Sequence, residues 1–278
     1  MTKIGILHPG EMGISIAASA IQNGHQVYWM SEGRSEKTRV RAERYKLIEF
    51  GSLSQFCETC GIIISICPPH PAEEIATSVM EVGFRGLFLD ANAISPQRAI
   101  KMGRMLEAKN IQFVDGGIIG GPAWKPKETW LFLSGTYANK IASVFENGPL
   151  ETKIIGAEIG KASALKMCYA AYSKGTTALL AAILANAESL GIRSELYELW
   201  NLDDSGFSEQ VARRVTRATA KAWRFEGELL EIASTFQNAG LPGGFHETAA
   251  EIYHRMAHFK DEPETPSLDD VLKSLLRA

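Results

Sequence analysis

The segment KIGILHPGEMG, at residues 3–13, decides the fold class of this chain. Its first part, KIGILH, is a short apolar run of the kind that forms a buried strand. Residues 11–24, EMGISIAASAIQNG, carry apolar side chains at helical spacing and end at Gly24, a residue type that often terminates helices. A second strand-like run, HQVYWM, follows at residues 25–30. The order of strand, glycine-containing turn, helix and strand predicts the first unit of a parallel sheet.

The same alternation continues to about residue 115. Short β-branched or aromatic runs recur at residues 62–67 (IIISIC), 86–90 (GLFLD) and 111–115 (IQFVD), and helical stretches separate them. Strands that alternate with helices need crossover connections, which place helices on both faces of the sheet. We therefore predict an α/β fold whose N-terminal part is a Rossmann-type, doubly wound parallel sheet.

The second half of the chain has a different composition. Residues 161–190 contain no proline and are rich in alanine and leucine, which predicts a helix of up to ~30 residues, or ~45 Å. The remaining segments also have helical patterns. We predict a Rossmann domain at residues 1–158 and an all-α domain at residues 159–278, joined by the long interdomain helix. Because a long helix with few partners of its own is a poor independent core, we also predict a homodimer that forms through the helical domain.

Composition excludes several classes of partner. The formal net charge is −3 at pH 7, which argues against binding of nucleic acid or an anionic membrane surface. No apolar run approaches the ~20 residues of a membrane-spanning helix, and no signal-peptide pattern is present, so we expect a cytoplasmic protein. Cys57 and Cys60 form a C-x-x-C pair without a second ligand pair. We interpret them as buried structural thiols and predict no metal site.

The turn after the first strand resembles a phosphate-binding loop with one glycine replaced. In G-x-G-x-x-G, the second glycine lets the backbone approach a pyrophosphate and the third lets helix and strand pack closely. Gly10 and Gly13 keep these two positions, whereas His8 and Pro9 replace the first glycine of the turn. The following helix N-terminus directs amide donors at the phosphates. The residues predicted to contact the pyrophosphate are His8, Pro9, Gly10, Glu11, Met12 and Gly13.

The end of the second strand predicts which nicotinamide cofactor binds. An acidic residue there holds the ribose 2′-hydroxyl of NAD, and an arginine accepts the 2′-phosphate of NADP. We predict NADP, with Ser31, Arg34 and Ser35 as its ligands, because arginine binds phosphate through paired donors. Glu32 would suit a 2′-hydroxyl, so NAD stays an alternative. Four more basic residues follow and add positive charge: Lys37, Arg39, Arg41 and Arg44. We interpret the last three as the solvated face of a helix.

Together these motifs resemble the superfamily of 3-hydroxyisobutyrate dehydrogenase and 6-phosphogluconate dehydrogenase, the β-hydroxyacid dehydrogenases. HPGEMG is similar to the family's G-x-G-x-M-G, and ISICPP (64–69) resembles its loop over the cofactor, which implies cofactor contacts from Cys67 and Pro68. DANAISP (90–96) resembles D-x-S-T-x-x-P, which implies that Asn92 lies near both nicotinamide and substrate. FVDGGIIGG (113–121) resembles D-A-P-V-S-G-G, which implies substrate binding by Gly120 and Gly121. The segments AWRFEGELLEIASTF and GLPGGFH are similar to a subgroup with a C-terminal domain of unknown function.

The resemblance also implies a catalytic lysine. The family carries G-x-G-x-x-x-K-x-x-x-N early in the long helix, and GKASALKMCYA aligns Lys166 with that lysine. Hydride transfer at a carbinol carbon leaves a proton on oxygen, and a buried lysine of lowered pKa can carry it. The alternative interpretation of Lys166 is a surface lysine whose ammonium extends to solvent.

Three positions depart from the family pattern. Ala170 replaces the asparagine one turn after the lysine, Ile119 replaces the serine of S-G-G, and Asn92 replaces a hydroxyl. We therefore expect a substrate other than the family's short β-hydroxyacids, and one that is anionic. The additional substrate ligands that we predict are Lys174, one helical turn beyond Ala170, and His246; His246 as a packed helix-start residue is the alternative. Trp124 and Trp130, with Lys125 and Lys127, fit either an aromatic anion or a surface loop at the sheet edge.

The leading functional hypothesis is an NADP-dependent oxidoreductase that acts between a hydroxyl and a carbonyl group, with Lys166 as general acid and base. One alternative keeps the cofactor and reduces a C=N bond, as the similar imine reductases do. A second alternative is a non-catalytic nucleotide-binding or redox-sensing protein, which the missing first glycine and Ala170 suggest. A methyltransferase is a further alternative, which Arg34, Ser35 and the long helix argue against.

Overall fold

A computed structural model describes residues 1–277 of the chain. The chain divides into two compact units, the first spanning Met1–Met167 and the second beginning at Cys168. The division therefore falls inside the long helix, beyond the boundary at residue 158 that the sequence predicts. The physical reason is a set of hydrogen bonds, described below, that fixes the first turn of this helix to the sheet.

The first unit alternates strands and helices, as predicted. Its strands are β1 (Lys3–Ile6), β2 (Gln26–Met30), β3 (Ile48–Phe50), β4 (Ile62–Ser65), β5 (Leu87–Asp90), β6 (Gln112–Gly120), β7 (Thr129–Ser134) and β8 (Leu150–Gly156). Its helices are α1 (Glu11–Gln22), α2 (Glu36–Arg44), α3 (Leu53–Thr59), α4 (Ala72–Glu81), α5 (Pro96–Glu107), α6 (Ala138–Ala142), which continues as a 3₁₀ turn at Ser143–Phe145, and the beginning of α7 (Lys161–Ala170).

The strands form one eight-stranded sheet in the order β3-β2-β1-β4-β5-β6-β7-β8. Neighbouring strands from β3 to β6 pair in parallel, which is the Rossmann arrangement with its change of direction between β1 and β4. β6 extends beyond β5 and pairs antiparallel with β7, and β7 pairs in parallel with β8. The prediction of a doubly wound sheet is confirmed, and the antiparallel extension is an addition that the sequence pattern did not predict.

Both faces of the sheet are buried, since successive side chains of each strand point to opposite sides. In β4, Ile62 and Ile64 join one apolar cluster, whereas Ile63 joins the other. In β5, Leu89 joins the first cluster and Phe88 the second. The continuous apolar runs in the sequence follow from this double burial. Cys57 and Cys60 belong to the second cluster, so the prediction of buried thiols is confirmed, and burial raises the pKa of each to about 12.

The second unit is entirely helical among the residues that the structure describes. It contains the end of α7, a π-helical turn at Ala171–Gly175, and α8 (Thr176–Ser189), so that helical residues run unbroken from 161 to 189. The prediction of one long helix is confirmed. The helices that follow are α9 (Arg193–Asp203), α10 (Phe207–Ala218), α11 (Ala222–Asn238), α12 (Gly244–Met256) and α13 (Leu268–Leu276), with 3₁₀ turns at Thr219–Lys221 and Ala257–Phe259.

Candidate functional site

The loop between β1 and α1 keeps the two glycine positions that a pyrophosphate needs. A Cβ atom at Gly13 would overlap the carbonyl oxygen of His8, so only glycine fits where the helix begins against the loop. A Cβ atom at Gly10 would meet nothing within 4 Å. Gly10 immediately precedes α1, and its amide donates to the His8 carbonyl oxygen at 2.8 Å. The loop therefore closes without the first glycine and leaves open space at the helix N-terminus, where an anion is stabilised.

His8 and Arg34 lie close together beside this loop. Burial, and then the positive charge of Arg34, lower the pKa of His8 to about 4, so the imidazole is neutral at neutral pH. Nδ1 of His8 and Nε of Arg34 are both buried without a hydrogen-bond partner within the described chain. Burial also lowers the pKa of the Arg34 guanidinium. Two unsatisfied polar groups next to an open phosphate loop fit a ligand that carries phosphate and hydroxyl groups.

Two of the cofactor ligands predicted after β2, Ser31 and Ser35, have different surroundings. Ser31 is buried, and both its amide, at 3.0 Å, and its hydroxyl, at 3.2 Å, donate to the carbonyl oxygen of Phe50 in β3. Arg39 donates to the carbonyl oxygen of Ser31 at 3.1 Å. The polar groups of Ser31 thus connect β2 to β3, and its role as a cofactor ligand stays a prediction. Ser35 is exposed, and its hydroxyl lies 3.1 Å from that of Thr38.

The loops after β4 and β5 are joined by Asn92. Its Oδ1 accepts from the amide of Cys67 at 2.5 Å, and its Nδ2 donates to Ser65 Oγ at 3.1 Å and to Asp90 Oδ1. Asn92 is only 2% exposed. Both Nδ2 protons are used inside the protein, and the location of Asn92 near cofactor and substrate stays a prediction. Asn92 positions Cys67, whose thiol pKa burial raises to about 12.

Two buried aspartates are neighbours in the sheet, where Asp90, the last residue of β5, is in register with Asp115 inside β6. Burial, and then the charge of Asp115, raise the pKa of Asp90 to about 8. Oδ2 of Asp115 accepts from Ser134 Oγ at 2.9 Å and from the amides of Gly160 at 2.9 Å and Ser163 at 3.1 Å, while Oδ1 accepts from Ser163 Oγ at 2.6 Å. Asp115 therefore fixes the first turn of α7 to the sheet.

Sequence reasoning did not select these two aspartates as functional residues. The available signal was that the apolar runs GLFLD and IQFVD both end in aspartate. A carboxylate at the end of a buried strand must find hydrogen-bond donors nearby, because burying an unpaired charge is very costly. Here Asp115 finds them in the backbone amides at the beginning of α7.

Lys166 projects from α7 to the far end of β6. Its Nζ donates to the carbonyl oxygen of Ile118 at 2.5 Å, and its side chain is half-buried. The close approach depends on Gly117, because a Cβ atom there would lie 2.6 Å from the Ala162 carbonyl oxygen and 3.1 Å from Lys166 Cβ. The structure thus brings Lys166 to the strand that ends in the predicted substrate residue Gly120, which itself has a φ of +119°.

The two substrate residues predicted in the second unit are engaged there. Nζ of Lys174 lies 2.7 Å from Glu228 Oε2 and 4.9 Å from the centre of the Phe225 ring, and the two charged side chains are 12% and 8% exposed. The prediction assumed α-helical spacing after Ala170, but the π-helical turn interrupts it. Lys174 therefore forms a buried ion pair, and its role as an anion ligand stays a prediction.

His246 is 5% exposed and packs edge-on against two aromatic rings, with ring centres 4.4 Å from Phe236 and 5.1 Å from Phe245. Burial lowers its pKa. Its Nδ1 has no hydrogen-bond partner among the described residues. The packing matches the alternative interpretation of a packed histidine at a helix start, since His246 lies in the first turn of α12.

The two tryptophans of the segment after β6 have different surroundings. Trp124 stacks on Tyr45, with ring centres 5.2 Å apart and 21° between the planes, beside an open cleft of about 580 Å³ that Arg41 and Arg44 of α2 also line. Trp130 lies in β7 and stacks on Phe132 at 6.2 Å. Lys125 and Lys127 are exposed. The tryptophans therefore do not act as one aromatic group.

Comparison with family models agrees with this architecture. The model described as the NAD binding domain of 6-phosphogluconate dehydrogenase matches residues 3–147, more than half of the chain, and the model of a domain of unknown function, DUF1932, matches residues 187–256. Among curated proteins, the chain is similar to an uncharacterized 28.5 kDa protein in the 7S RNA 5′ region of Methanothermus fervidus. Identity is 28% over 83% of this chain and 89% of that protein.

Solved structures extend the similarity to almost the whole chain. The conserved protein MTH1747, described as structurally similar to 3-hydroxyacid dehydrogenases, has 25% identity and a TM-score of 0.67 over 99% of this chain and 100% of that one. The 3-hydroxyisobutyrate dehydrogenase of Mycobacterium tuberculosis has 18% identity and a TM-score of 0.73, with 100% of both chains covered. An imine reductase from Myxococcus stipitatus has 16% identity and a TM-score of 0.58, again with 100% of both covered. The last two likenesses show a shared fold.

A helix that spans a membrane must be both long and apolar, and no helix among the described residues 1–277 combines the two properties.

Proposed function

Because the chain belongs to the family of the NAD binding domain of 6-phosphogluconate dehydrogenase and is an NAD(P)-dependent oxidoreductase of the hydroxyacid dehydrogenase type, we propose that it uses NADP and that Lys166 is its general acid and base. One observation carries the proposal. Nζ of Lys166 lies 2.5 Å from the Ile118 carbonyl oxygen, at the end of the strand that leads into Gly120 and Gly121. A proton donor is thereby held where the family resemblance implies that substrate binds.

The proposed roles of the other residues follow from their contacts. The open space at Gly10 and the α1 N-terminus would receive the pyrophosphate, and Arg34 with Ser35 would hold the ribose 2′-phosphate. When bound, the nicotinamide ring supplies or accepts the hydride. Lys166 protonates the substrate oxygen in reduction and removes its proton in oxidation. Asp115 positions Lys166 by holding the first turn of α7.

Titration of the purified protein with NADPH and with NADH, followed by nicotinamide fluorescence, tests the cofactor assignment. We expect NADPH to bind more tightly, and Arg34→Ala to weaken NADPH binding about tenfold or more while it changes NADH binding little, since charge-assisted phosphate contacts contribute about 1.5–3 kcal/mol. Arg85→Ala is the matched control, because Arg85 is exposed and precedes β5. Equal affinity for the two nucleotides in the wild-type protein would contradict the assignment to NADP.

Imine reduction is a second candidate, supported by the loss of polar groups around Lys166. Ile119 and Ala170 replace the serine and asparagine of the family pattern, so fewer donors would hold an oxygen-bearing substrate. Turnover of a cyclic imine, with no turnover of ketones and alcohols, would favour this candidate over the first. A nucleotide-binding protein without activity would instead bind NADPH, and its Lys166→Ala variant would show no change in any reaction.

We also propose that the protein is a homodimer. The second unit exposes many large apolar side chains, more than isolated surface residues would explain: Tyr172, Leu179, Leu190, Leu199, Leu202, Leu230, Leu241 and Phe245. Burial of such side chains against a second copy would remove this surface from water. Light scattering after size exclusion should give twice the mass of one chain, and a monomer would refute the proposal. A cytoplasmic location stays a prediction of the sequence.

A further inference from the structure

One face of the sheet contacts Lys166 of α7 and carries a row of apolar side chains. In the antiparallel ladder of β6 and β7, Gly117 is opposite Phe132 and Ile119 is opposite Trp130. Residues that are directly opposed in such a ladder point to the same face. Asp115, two residues before Gly117, contacts α7 through Ser163 at 2.6 Å, so this is the face that α7 covers.

Lys166 marks where a reacting group would lie on this face. Its Nζ is held by the Ile118 carbonyl oxygen, and its Cβ would be 3.1 Å from a Cβ atom at Gly117. Ile119 is the next side chain of β6 on the same face, since side chains alternate along a strand. A substituent on the reacting carbon that extends along β6 and β7 would therefore meet Ile119 first and Trp130 next.

The surface formed by Ile119, Trp130 and Phe132, here called the apolar wall, is accessible and uncharged. Ile119 is half-buried, and Trp130 is 36% exposed while it stacks on Phe132 at 6.2 Å. The neighbouring strand β8 places Glu151 beside Trp130 and Lys153 beside Phe132. An anionic group beyond Trp130 would therefore approach Glu151, and the two opposite charges together offer no net attraction for an anion.

We infer that the substrate carries a neutral apolar or aromatic group on the side of the apolar wall, and that Ile119 and Trp130 select it; this inference rests on the proposed function. A carboxylate against Ile119 would lose water without gaining a donor there, which disfavours it, whereas an aromatic ring would gain buried area and ring contacts. Lys166 is assigned to the proton of the reacting group, and Lys174 is paired with Glu228. The inference replaces the sequence-based expectation of an anionic substrate.

Two ketones that differ at one end test the inference. 4-Phenyl-2-butanone and levulinate (4-oxopentanoate) place a phenyl ring and a carboxylate at the same distance from a methyl ketone. Their affinities are measured by calorimetry on the intact protein with saturating oxidised NADP, which prevents turnover and makes the readout independent of activity. The variants are Trp130→Leu and Ile119→Ser. Trp124→Leu is the matched control, because Trp124 belongs to the same segment but stacks on Tyr45.

We expect the phenyl ketone to bind at least tenfold more tightly than levulinate, and Trp130→Leu to weaken it about fivefold, as loss of a ring contact does. Trp124→Leu should leave both affinities unchanged. Ile119→Ser should tighten levulinate about tenfold, because it restores a hydroxyl donor to a carboxylate. Ile119→Ser also keeps the test decisive if Trp130→Leu does not fold.

Two results are distinguished. If NADP binds, the proposed function stands. The inference is then wrong if levulinate binds as tightly as the phenyl ketone, if neither ketone binds, or if Trp130→Leu and Trp124→Leu change the affinity for the phenyl ketone equally. If neither NADP nor NAD binds, the proposed function fails and the inference fails with it.

Discussion

At the scale of single residues, Gly10 and Gly13 belong to one motif but answer different physical requirements. At Gly13 a side chain would collide with the backbone oxygen of His8, so the requirement lies within the folded protein. At Gly10 a side chain would enter open space, and its backbone has a φ of −66° that any residue adopts. The requirement for glycine at position 10 therefore arises only when a ligand approaches the loop.

This difference predicts that two alanine variants will differ in stability. Gly13→Ala should destabilise the protein by about 1–3 kcal/mol, as overpacking against rigid backbone does, and should also weaken NADPH binding. Gly10→Ala should leave the melting temperature unchanged and weaken NADPH binding about tenfold or more, because the new methyl group occupies the phosphate position. Thermal melting and NADPH titration of both variants check this. Normal NADPH binding by Gly10→Ala would place the pyrophosphate elsewhere.

The site could be predicted from the sequence only in part. The motif position of Lys166 placed it early in the long helix, and the structure adds that its Nζ reaches the Ile118 carbonyl oxygen of β6. The contacts of Asn92 and Lys174 could not be predicted, since their partners, Cys67 and Glu228, lie far away in the sequence. Pairing of a buried polar group depends on three-dimensional neighbours, which periodicity and spacing do not encode.

At the scale of secondary structure elements, the π-helical turn at Ala171–Gly175 needs support from neighbouring helices. Arg214 of α10 donates to the Ser173 carbonyl oxygen at 2.6 Å and to Thr177 Oγ1 at 2.6 Å. The hydroxyl of Tyr253 in α12 donates to the carbonyl oxygen of Lys174 at 3.2 Å. These side chains satisfy carbonyl groups at the turn, where the regular helical pattern is interrupted.

Removal of this support should destabilise the second unit. We expect Arg214→Met to lower the free energy of unfolding by about 1.5–3 kcal/mol, because it removes the charged donor of the part-buried Ser173 carbonyl oxygen, which keeps the Thr177 hydroxyl. Tyr253→Phe should cost about 1 kcal/mol, the contribution of one neutral hydrogen bond. Arg213→Met is the control on the same helix, since Arg213 is exposed. Urea unfolding measures all three, and equal losses for the two arginines would contradict this role of Arg214.

The elements themselves were largely predictable. The apolar runs that became β1, β2, β4 and β5 and the glycine at the end of α1 are local signals, and the structure confirms them. The antiparallel pairing of β6 with β7 was not predicted, because strand direction depends on which strands meet and both directions accept apolar sequences. The π-helical turn also escaped prediction, since its stabilising residues Arg214 and Tyr253 are distant in sequence.

At the scale of the whole molecule, the neighbouring carboxyl groups of Asp90 and Asp115 should make stability depend on pH. The pKa of Asp90 is about 8 in the folded protein because of burial and of Asp115, whereas an aspartate ionises near pH 4 in an unfolded chain. Between about pH 4 and about pH 8 the unfolded chain therefore binds fewer protons at this residue, and the free energy of unfolding falls as the pH rises.

Asp90→Asn should remove this contribution, since the amide keeps the shape and does not ionise. Relative to wild type, we expect the free energy of unfolding of the variant to rise from about pH 5 to about pH 8, as the linkage relation requires. Urea unfolding at several pH values measures this, with Asp203→Asn, at an exposed position, as the control. Identical pH dependence of wild type and Asp90→Asn would show that Asp90 does not titrate in this range.

The anchoring of α7 by Asp115 limits how the gene can be divided. A fragment that stops at residue 158 would end before Gly160 and Ser163, leaving a buried carboxylate with most of its donors removed. A fragment that ends after Met167 would keep these bonds together with Lys166. A recombinant nucleotide-binding domain, or a natural fusion protein that contains it, must therefore include the first turns of α7, although the sequence pattern assigns that helix to the helical domain.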